Sequence, residues 1–437
     1  MNRKIMKIAL AGLVALGATL AVSAADWYVS RATGKNKNAG TKEAPLKAIW
    51  KALDKAAPGD TIHVAEGNYS GKLSCGWLDV QKGVNLIGGY SADFSVRDIT
   101  KHLTTFKPSN AQNATKPPSD AGTMRIVTKG ADAKMLLDGF FFDQGDANSY
   151  HATKGKPEGV ATGMWLQPPA KGNTQYPSID RYTIYAQTDG ELTIQNCVFL
   201  NCSNYAVNVG HFSGKVKILN NLFINSRMIG CNVSSKNGKP LMVDYEFAYN
   251  TVLFTWSRTS EMSDMGFGVR ANSNTISNIH HNIIGLNVGT GFDNSMGNPK
   301  TKQVKLDNNV FFLNKKSDLT FVISPNIAYF RVTDEAYEDL EDVDGMESME
   351  NNVALDKADA FKGIIDLPYL EAFLSATYSE KTDYDENSPA NVFREVMGLN
   401  KRGTITTKVS MFCNRYPADN VLKFFGALQG VGAQLPK

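Results

Sequence analysis

Cysteine is scarce in this chain, with five residues, Cys75, Cys197, Cys202, Cys231 and Cys413, among 437. An odd number cannot pair completely within one chain, and no two stand in a CxxC spacing, so neither a closed disulfide framework nor a zinc ribbon fits. Cys197 sits in a strand corner and Cys231 in an apolar strand, where both read as buried free thiols. An excess of charge is also missing. There are 46 Lys and Arg against 43 Asp and Glu. Three of the basic residues, Arg3, Lys4 and Lys7, belong to the amino-terminal leader, and the remainder balances, which argues against nucleic acid as a partner. Long apolar runs are limited to Ile8–Val22, which follows those basic residues and precedes VSA at positions 22–24. That run is too short and wrongly flanked for a membrane anchor, so residues 1–24 read as a secretory signal peptide. The mature protein is therefore expected to be secreted, periplasmic or at the cell surface, with no transmembrane segment. Phosphate loops, Ser/His/Asp nucleophile motifs and zinc motifs do not occur.

What is abundant is repetition. Between Glu191 and Asn314 one pattern returns five times, as ELTIQNCVFLN, VKILNNLFIN, YEFAYNTVLF, SNIHHNIIGLN and VKLDNNVFFLN. Its apolar markers are Phe199, Phe223, Val252, Ile284 and Phe311, separated by 24, 29, 32 and 27 residues. A second motif trails each of the first four markers, as AVNV, GCNV, GFGV and GFDN, and the third copy carries seven extra residues. Units of this length, made of short Val/Ile/Phe strands with Asn and Gly at the corners, bury themselves only against their neighbours and predict a parallel β-helix. Two residues before each marker stand Cys197, Asn221, Asn250, Asn282 and Asn309. Asparagines at one corner of successive coils can stack, each amide bonding to the coils on either side, and Asn tolerates the left-handed backbone of a tight corner.

Ahead of the repeats, DWYVSRATGKNKNAGTKEAPLKAIWKALDKAAPGDTIHVAEGNYSG spans Asp26–Gly71. It reads as a strand, a Gly/Asn loop, an amphipathic helix with Leu46, Ile49, Trp50, Leu53 and Ala56 on one face, a Pro58–Gly59–Asp60 turn and a second strand. Such a helix would cover the open end of a solenoid. The run YVS, then GT with AP, then a helix, then PGDTIHVAEGNY resembles the amino-terminal start of right-handed parallel β-helix proteins of the pectin lyase-like superfamily. With the repeats, the resemblance covers about residues 26–325. It implies a three-sheet coil and extracellular polysaccharide as substrate or ligand. It implies no particular activity, because the superfamily holds lyases, hydrolases, epimerases and noncatalytic surface proteins.

The chain is thus expected to be all-β, with residues 25–330 forming a right-handed parallel β-helix under an N-terminal capping helix. Two insertions, Ser91–Thr123 and Asp143 to about Asp180, are expected to wall a groove. Beyond Phe330 the repeat is lost, and residues 331–437 read as an acidic linker and a mixed, partly helical tail or cap. The run Asp334–Glu350 lacks the spacing of a calcium loop.

Strand alternation selects the outward side chains. With Val207 and Val209 inside, Asn208, Asn232, Arg270 and Asp293 fall in one outer column, beside the enlarged coil that carries Arg258, Glu261 and Asp264. Amides bond to sugar hydroxyls and Arg pairs with carboxylates, so Asn208, Asn232 and Arg258 are candidate substrate-binding residues. Lyases of the resembled superfamily often use Arg or Lys as base, with calcium held by acidic residues. By that resemblance Arg270 takes the neutralising or basic role and Glu261, Asp264 and Asp293 are candidate calcium ligands. Hydrolysis would require a carboxylate pair, for which Asp264 and Asp293 are nearest. A structural alternative makes Arg270 and Asp293 a surface ion pair. His211 is the remaining acid–base candidate, and His280 and His281 read as corner residues. Two functions follow: a lyase-type carbohydrate-active protein on acidic glycans, or a noncatalytic surface or matrix protein binding glycan or protein.

Overall fold

The computed structural model describes residues 24–72, 77–107, 123–144, 182–236, 242–256, 265–272, 274–296, 302–323, 326–355, 358–378, 384–403 and 415–436. Short strands rich in β-branched and aromatic residues alternate with tight corners. The strands pair in parallel with their counterparts one coil away, in a 17-stranded and a 9-stranded sheet, except that Asn326–Phe330 pairs antiparallel with Ser317–Ile323. The larger sheet bends to supply two walls. The first wall includes Leu78–Val80, Met124–Val127, Ile229–Ser235, Phe267–Ala271, Thr290–Asp293 and Ser317–Ile323. The second includes Asp26–Val29, Thr61–Ala65, Asn85–Tyr90, Lys134–Asp138, Val243–Ala248, Thr275–His280 and Lys302–Asp307. Two long strands, Ile184–Gln195 and Val207–Leu219, run through both walls. They bend at Gly190 and Gly214, with φ of 78° and 99°, where a Cβ would lie 2.2 and 2.1 Å from the backbone oxygen of the preceding coil. Only glycine fits there. The third wall is the 9-stranded sheet, from Gly67–Tyr69 to Val353–Ala354.

The asparagine column forms a ladder inside the corner between the second and third walls. Asn221 donates its backbone N–H and its amide to Asn250 Oδ1, at 2.9 and 3.0 Å. Asn250 does the same to Asn282, and Asn282 to Asn309. The residue just before each rung turns left-handed, with φ of 53–57° at Asn196, Asn220, Tyr249, His281 and Asn308. His281 therefore holds a corner place that asparagine fills elsewhere. Between the walls the marker residues stack, with Phe142, Phe199 and Phe223 ring centroids 5.2 and 4.9 Å apart.

The capping helix α1, Ile49–Lys55, buries Ile49, Ala52 and Leu53 in the solenoid core. Lys82 Nζ donates to the carbonyls of Leu53 and Ala56 at 3.1 and 2.7 Å, satisfying the helix's C-terminal end.

The coil does not stop near residue 330. Met346–Ser348 pairs with Lys302–Asp307, and Val353–Ala354 pairs with Val310–Phe312. Asn309 donates to Asn352 Oδ1, adding a rung to the ladder. The acidic run contains the 3-10 helix Glu335–Asp342, of which Leu340 is buried against the core. This last coil escapes a sequence reading because its strands are three and two residues long, too short to show alternation.

The tail lies along the side of the solenoid. Helices α2, Leu367–Thr377, and α3, Pro389–Val396, pack with Phe361, Tyr416 and Phe424 on the outer face of the third wall, against Leu200, Leu222, Leu253 and Phe312. That wall is buried on both faces, which is why its strands read as unbroken apolar triplets. Among the described residues no helix is long and apolar enough to cross a membrane.

Candidate functional site

Strand register builds one column on the outside of the first wall. Asp79 pairs with Arg125, Arg125 with Tyr185, Tyr185 with Asn208, Asn208 with Asn232, Asn232 with Arg270, and Arg270 with Asp293. The four residues selected by alternation are thus adjacent, and the column extends toward the amino terminus through three more. Asp79 and Arg125 could have been found the same way, since LDV and MRIV are short alternating strands.

These side chains do not all face open solvent, as the alternation alone suggested. Asn208 is half-buried, whereas Asn232, Arg270 and Asp293 are 6, 8 and 0% exposed. The cause is mutual bonding. Asn232 donates to Asn208 at 2.8 Å, and Asn272 donates to Asn232 at 3.1 Å. Arg270 donates through Nε to Asp293 Oδ2. Asp293 also accepts the backbone N–H and hydroxyl of Ser295 at 3.1 and 2.6 Å. Phe267 lies under the guanidinium, 4.3 Å from its carbon to the ring centroid.

The Arg270–Asp293 ion pair therefore crosses coils as the structural reading had it, but in the interior of the contact rather than at the surface. Burial raises the cost of separating the charges, and the remaining Asp293 bonds to Ser295 satisfy the carboxylate. The two terminal nitrogens of Arg270 have no hydrogen-bond partner among the described residues. Asp293 holds the guanidinium at Nε and Phe267 stacks on its face, which fixes its orientation.

Asp79 and Arg125 form the other charged pair of the column, with Nε and Nη2 of Arg125 donating to the two carboxylate oxygens at 2.9 and 3.0 Å. Arg125 also stands 5.4 Å over Trp77. Beside them a cleft of about 400 Å³ is lined by Trp50, Trp77, Lys72, Asp54 and Gln81. The tryptophans gave no motif by spacing, because Trp50 comes from the cap helix and Trp77 from the next coil.

Arg258, Glu261 and Asp264 lie outside the described residues. Asp293 is thus the only one of the three candidate calcium ligands that the structure places, and among the described residues no group of three or more His, Cys, Asp or Glu is positioned to hold a metal. His211 is not on the column. It is fully buried, with Nδ1 2.8 Å from the Thr188 hydroxyl and Nε2 3.2 Å from the Gly190 carbonyl. Burial lowers its pKa, against the opposing effects of the Gly190 bond and Asp189. Both ring nitrogens are engaged away from solvent, which suits a neutral strut between coils rather than an acid–base group.

Residues 32–118 match a family model described as a protein of unknown function, DUF1565. Among solved structures, pectate lyase Pel9A aligns over 94% of this chain and 96% of its own, at TM-score 0.40 and 13% identity. A polygalacturonase from Erwinia carotovora ssp. carotovora aligns over 76% of this chain and 93% of its own, at TM-score 0.31 and 10% identity. The A-module of Azotobacter vinelandii mannuronan C-5 epimerase AlgE4 aligns over 75% and 95%, at TM-score 0.31 and 12% identity. None of the curated proteins matches the chain. The strand pairing itself establishes the architecture, a parallel β-helix.

Proposed function

We propose that the outer column of the first wall binds an extracellular acidic polysaccharide, with Arg270 taking a sugar carboxylate. The observation that carries this reading is the guanidinium held at Nε by Asp293 and on its face by Phe267, with no partner for its terminal edge among the described residues. Neighbouring strands are about 4.8 Å apart, close to the length of one pyranose residue. A chain laid along the solenoid axis would meet one rung of the column per sugar, with Asn208 and Asn232 offering amides to its hydroxyls.

β-Elimination on such a polymer is the finer reading. In it Arg270 neutralises the carboxylate and so acidifies the C5 proton. Its Nε is held by Asp293, which fits an electrostatic role and leaves proton abstraction to another group. Calcium held by Glu261, Asp264 and Asp293 would supplement that neutralisation.

Affinity electrophoresis in gels cast with uronic-acid or neutral polymers tests the binding, and ultraviolet absorbance of unsaturated product, with and without calcium, tests elimination. Retardation by acidic polymers alone is expected. Arg270→Lys, which keeps the charge but loses the forked geometry, should weaken binding about tenfold, corresponding to roughly 1.4 kcal/mol within the range of a charge-assisted hydrogen bond. Equal retardation by neutral polymers, or no change in Arg270→Lys, would overturn the binding assignment. Binding without product would leave the column as a noncatalytic glycan-binding face.

A further inference from the structure

The amino-terminal edge of the fold holds a second built contact, made by residues outside the outer column. Asp60 follows the Pro58–Gly59 turn and is 5% exposed. Its Oδ1 accepts the backbone N–H of Ala25 at 2.8 Å. Its Oδ2 accepts the Trp27 indole N–H at 2.9 Å and the Ala57 backbone N–H at 2.8 Å. Each of these donors is neutral. The cationic neighbour is Lys82, whose ammonium group is hydrogen-bonded to the carbonyls of Leu53 and Ala56. Burial alone would push the Asp60 pKa up, yet the hydrogen bonds from Ala25, Trp27 and Ala57 and the Lys82 charge leave it below the usual carboxylate value. The site is thus an ionised, nearly buried carboxylate surrounded by neutral donors, and such a group gains most from a formal positive charge at contact distance.

The sequence puts the end of the leader at Ala24, immediately before the residue whose nitrogen faces Asp60. Hydrolysis adds water across the Ala24–Ala25 peptide bond. Ala24 leaves as a carboxylate, and the Ala25 nitrogen becomes an α-ammonium group carrying the released proton.

We propose that Ala24–Ala25 is the processing site, and that the new α-ammonium of Ala25 forms an ion pair with Asp60 that completes the amino-terminal cap only in the processed chain. Ala25 is already held from its other side, since its carbonyl accepts the Thr61 N–H at 2.9 Å and the next residues pair with Thr61–Ala65. Processing therefore changes charge at a fixed position and needs no rearrangement of the strand. A chain with residues still attached ahead of Ala25 keeps a hydrogen bond there and lacks the ion pair.

The test starts with the full chain exported from a host, its terminus read by sequencing and intact mass. The processed protein is then compared with a form carrying one serine ahead of Ala25, by the rate of α-amine acylation and by the thermal midpoint between pH 7 and 10. An α-amine that gains an anionic partner holds its proton above the ordinary 7.7–8.0. Its stabilisation is complete below that range and is lost as pH rises through the folded value. The expected results are a terminus at Ala25, native acylation at pH 7.5 slowed about tenfold relative to the unfolded chain, one pKa unit being tenfold, and a midpoint that falls more steeply above pH 8 in the processed form. Asp60→Asn should remove the difference between the two forms. If that variant does not fold, the serine-extended form decides alone. A terminus elsewhere, or identical pH profiles and acylation rates in the two forms, would overturn the proposal.

Discussion

Replacing Asn250 with alanine removes the middle rung of the ladder, and its cost follows from counting what is left behind. Asn250 Oδ1 accepts two bonds, from the Asn221 backbone N–H and from the Asn221 amide. Its Nδ2 donates to the Ile218 carbonyl at 2.8 Å and to Asn282 Oδ1 at 3.2 Å. The Asn221 amide keeps its bond to the Ile194 carbonyl, and Asn282 Oδ1 keeps the Asn250 backbone N–H. The Ile218 carbonyl keeps the Ala248 N–H of the strand ladder, so one group is left without the partner that asparagine supplied, the Asn221 N–H, at a position with no exposure to admit water. At about 1–3 kcal/mol for a buried unsatisfied group, the substitution should cost about 1–3 kcal/mol. Asn278→Ala, on the outer face of the neighbouring strand Thr275–His280, should cost under about 0.5 kcal/mol. Urea unfolding measures the two midpoints, and hydrogen exchange places the Asn250→Ala loss at the corners on either side of residue 250. Equal costs for the two variants would refute the claim that the inner column, rather than asparagine content, holds the coils in register.

Cys197 heads the ladder without an amide, its thiol donating to the Gln195 and Leu137 carbonyls at 3.1 and 3.9 Å and its own N–H donating to Asn221 Oδ1. Cys197→Asn would reach the Leu137 carbonyl, the register counterpart of Ile194, and should raise stability by about 1 kcal/mol; a loss of that size by urea unfolding would contradict the geometry. His211, with its pKa lowered by burial, binds fewer protons folded than unfolded as pH drops below about 6.5. Its contribution therefore weakens from that pH downward through the folded pKa, and His211→Gln should flatten the pH dependence of the midpoint between pH 6.5 and 5. An unchanged slope would mean that the ring is charged in the folded state.

The solenoid was legible because its physics is periodic. Each coil repeats the same demand at the same corner, so asparagines and phenylalanines recur in step, and alternation alone put Asn208, Asn232, Arg270 and Asp293 in one column. What the sequence withheld depends on contacts between coils or between distant segments. Alternation distinguishes the two faces of a strand but does not say what lies on the outer one. The bonding of Arg270 to Asp293 and the stacking of Phe267 therefore appeared only in three dimensions. The last coil was invisible because Met346–Ser348 and Val353–Ala354 borrow their register from the coil below rather than from their own pattern.

The distribution of partners over the three walls narrows where function can reside. The third wall has its outer face covered by the tail, down to Tyr416, whose backbone N–H donates to Asn201 Oδ1 at 2.8 Å and whose carbonyl accepts from Asn201 Nδ2 at 3.1 Å. The second wall presents charges that answer one another across coils, with Lys217 3.2 Å from Glu191 and Lys215 3.9 Å from Asp244. Exposed pairs of this kind keep a sheet face hydrated and soluble, and each is worth about 1 kcal/mol or less. On the first wall the polar groups also bond to one another, but the chain of bonds ends in a guanidinium whose terminal edge has no partner among the described residues, and a cleft bearing two tryptophans opens beside the wall's amino-terminal end. The wall that spends its outer residues on neither a covering layer nor a complete charge lattice is the one left with capacity to bind, and it is the same wall that the irregular third coil interrupts between Asn232 and Arg270.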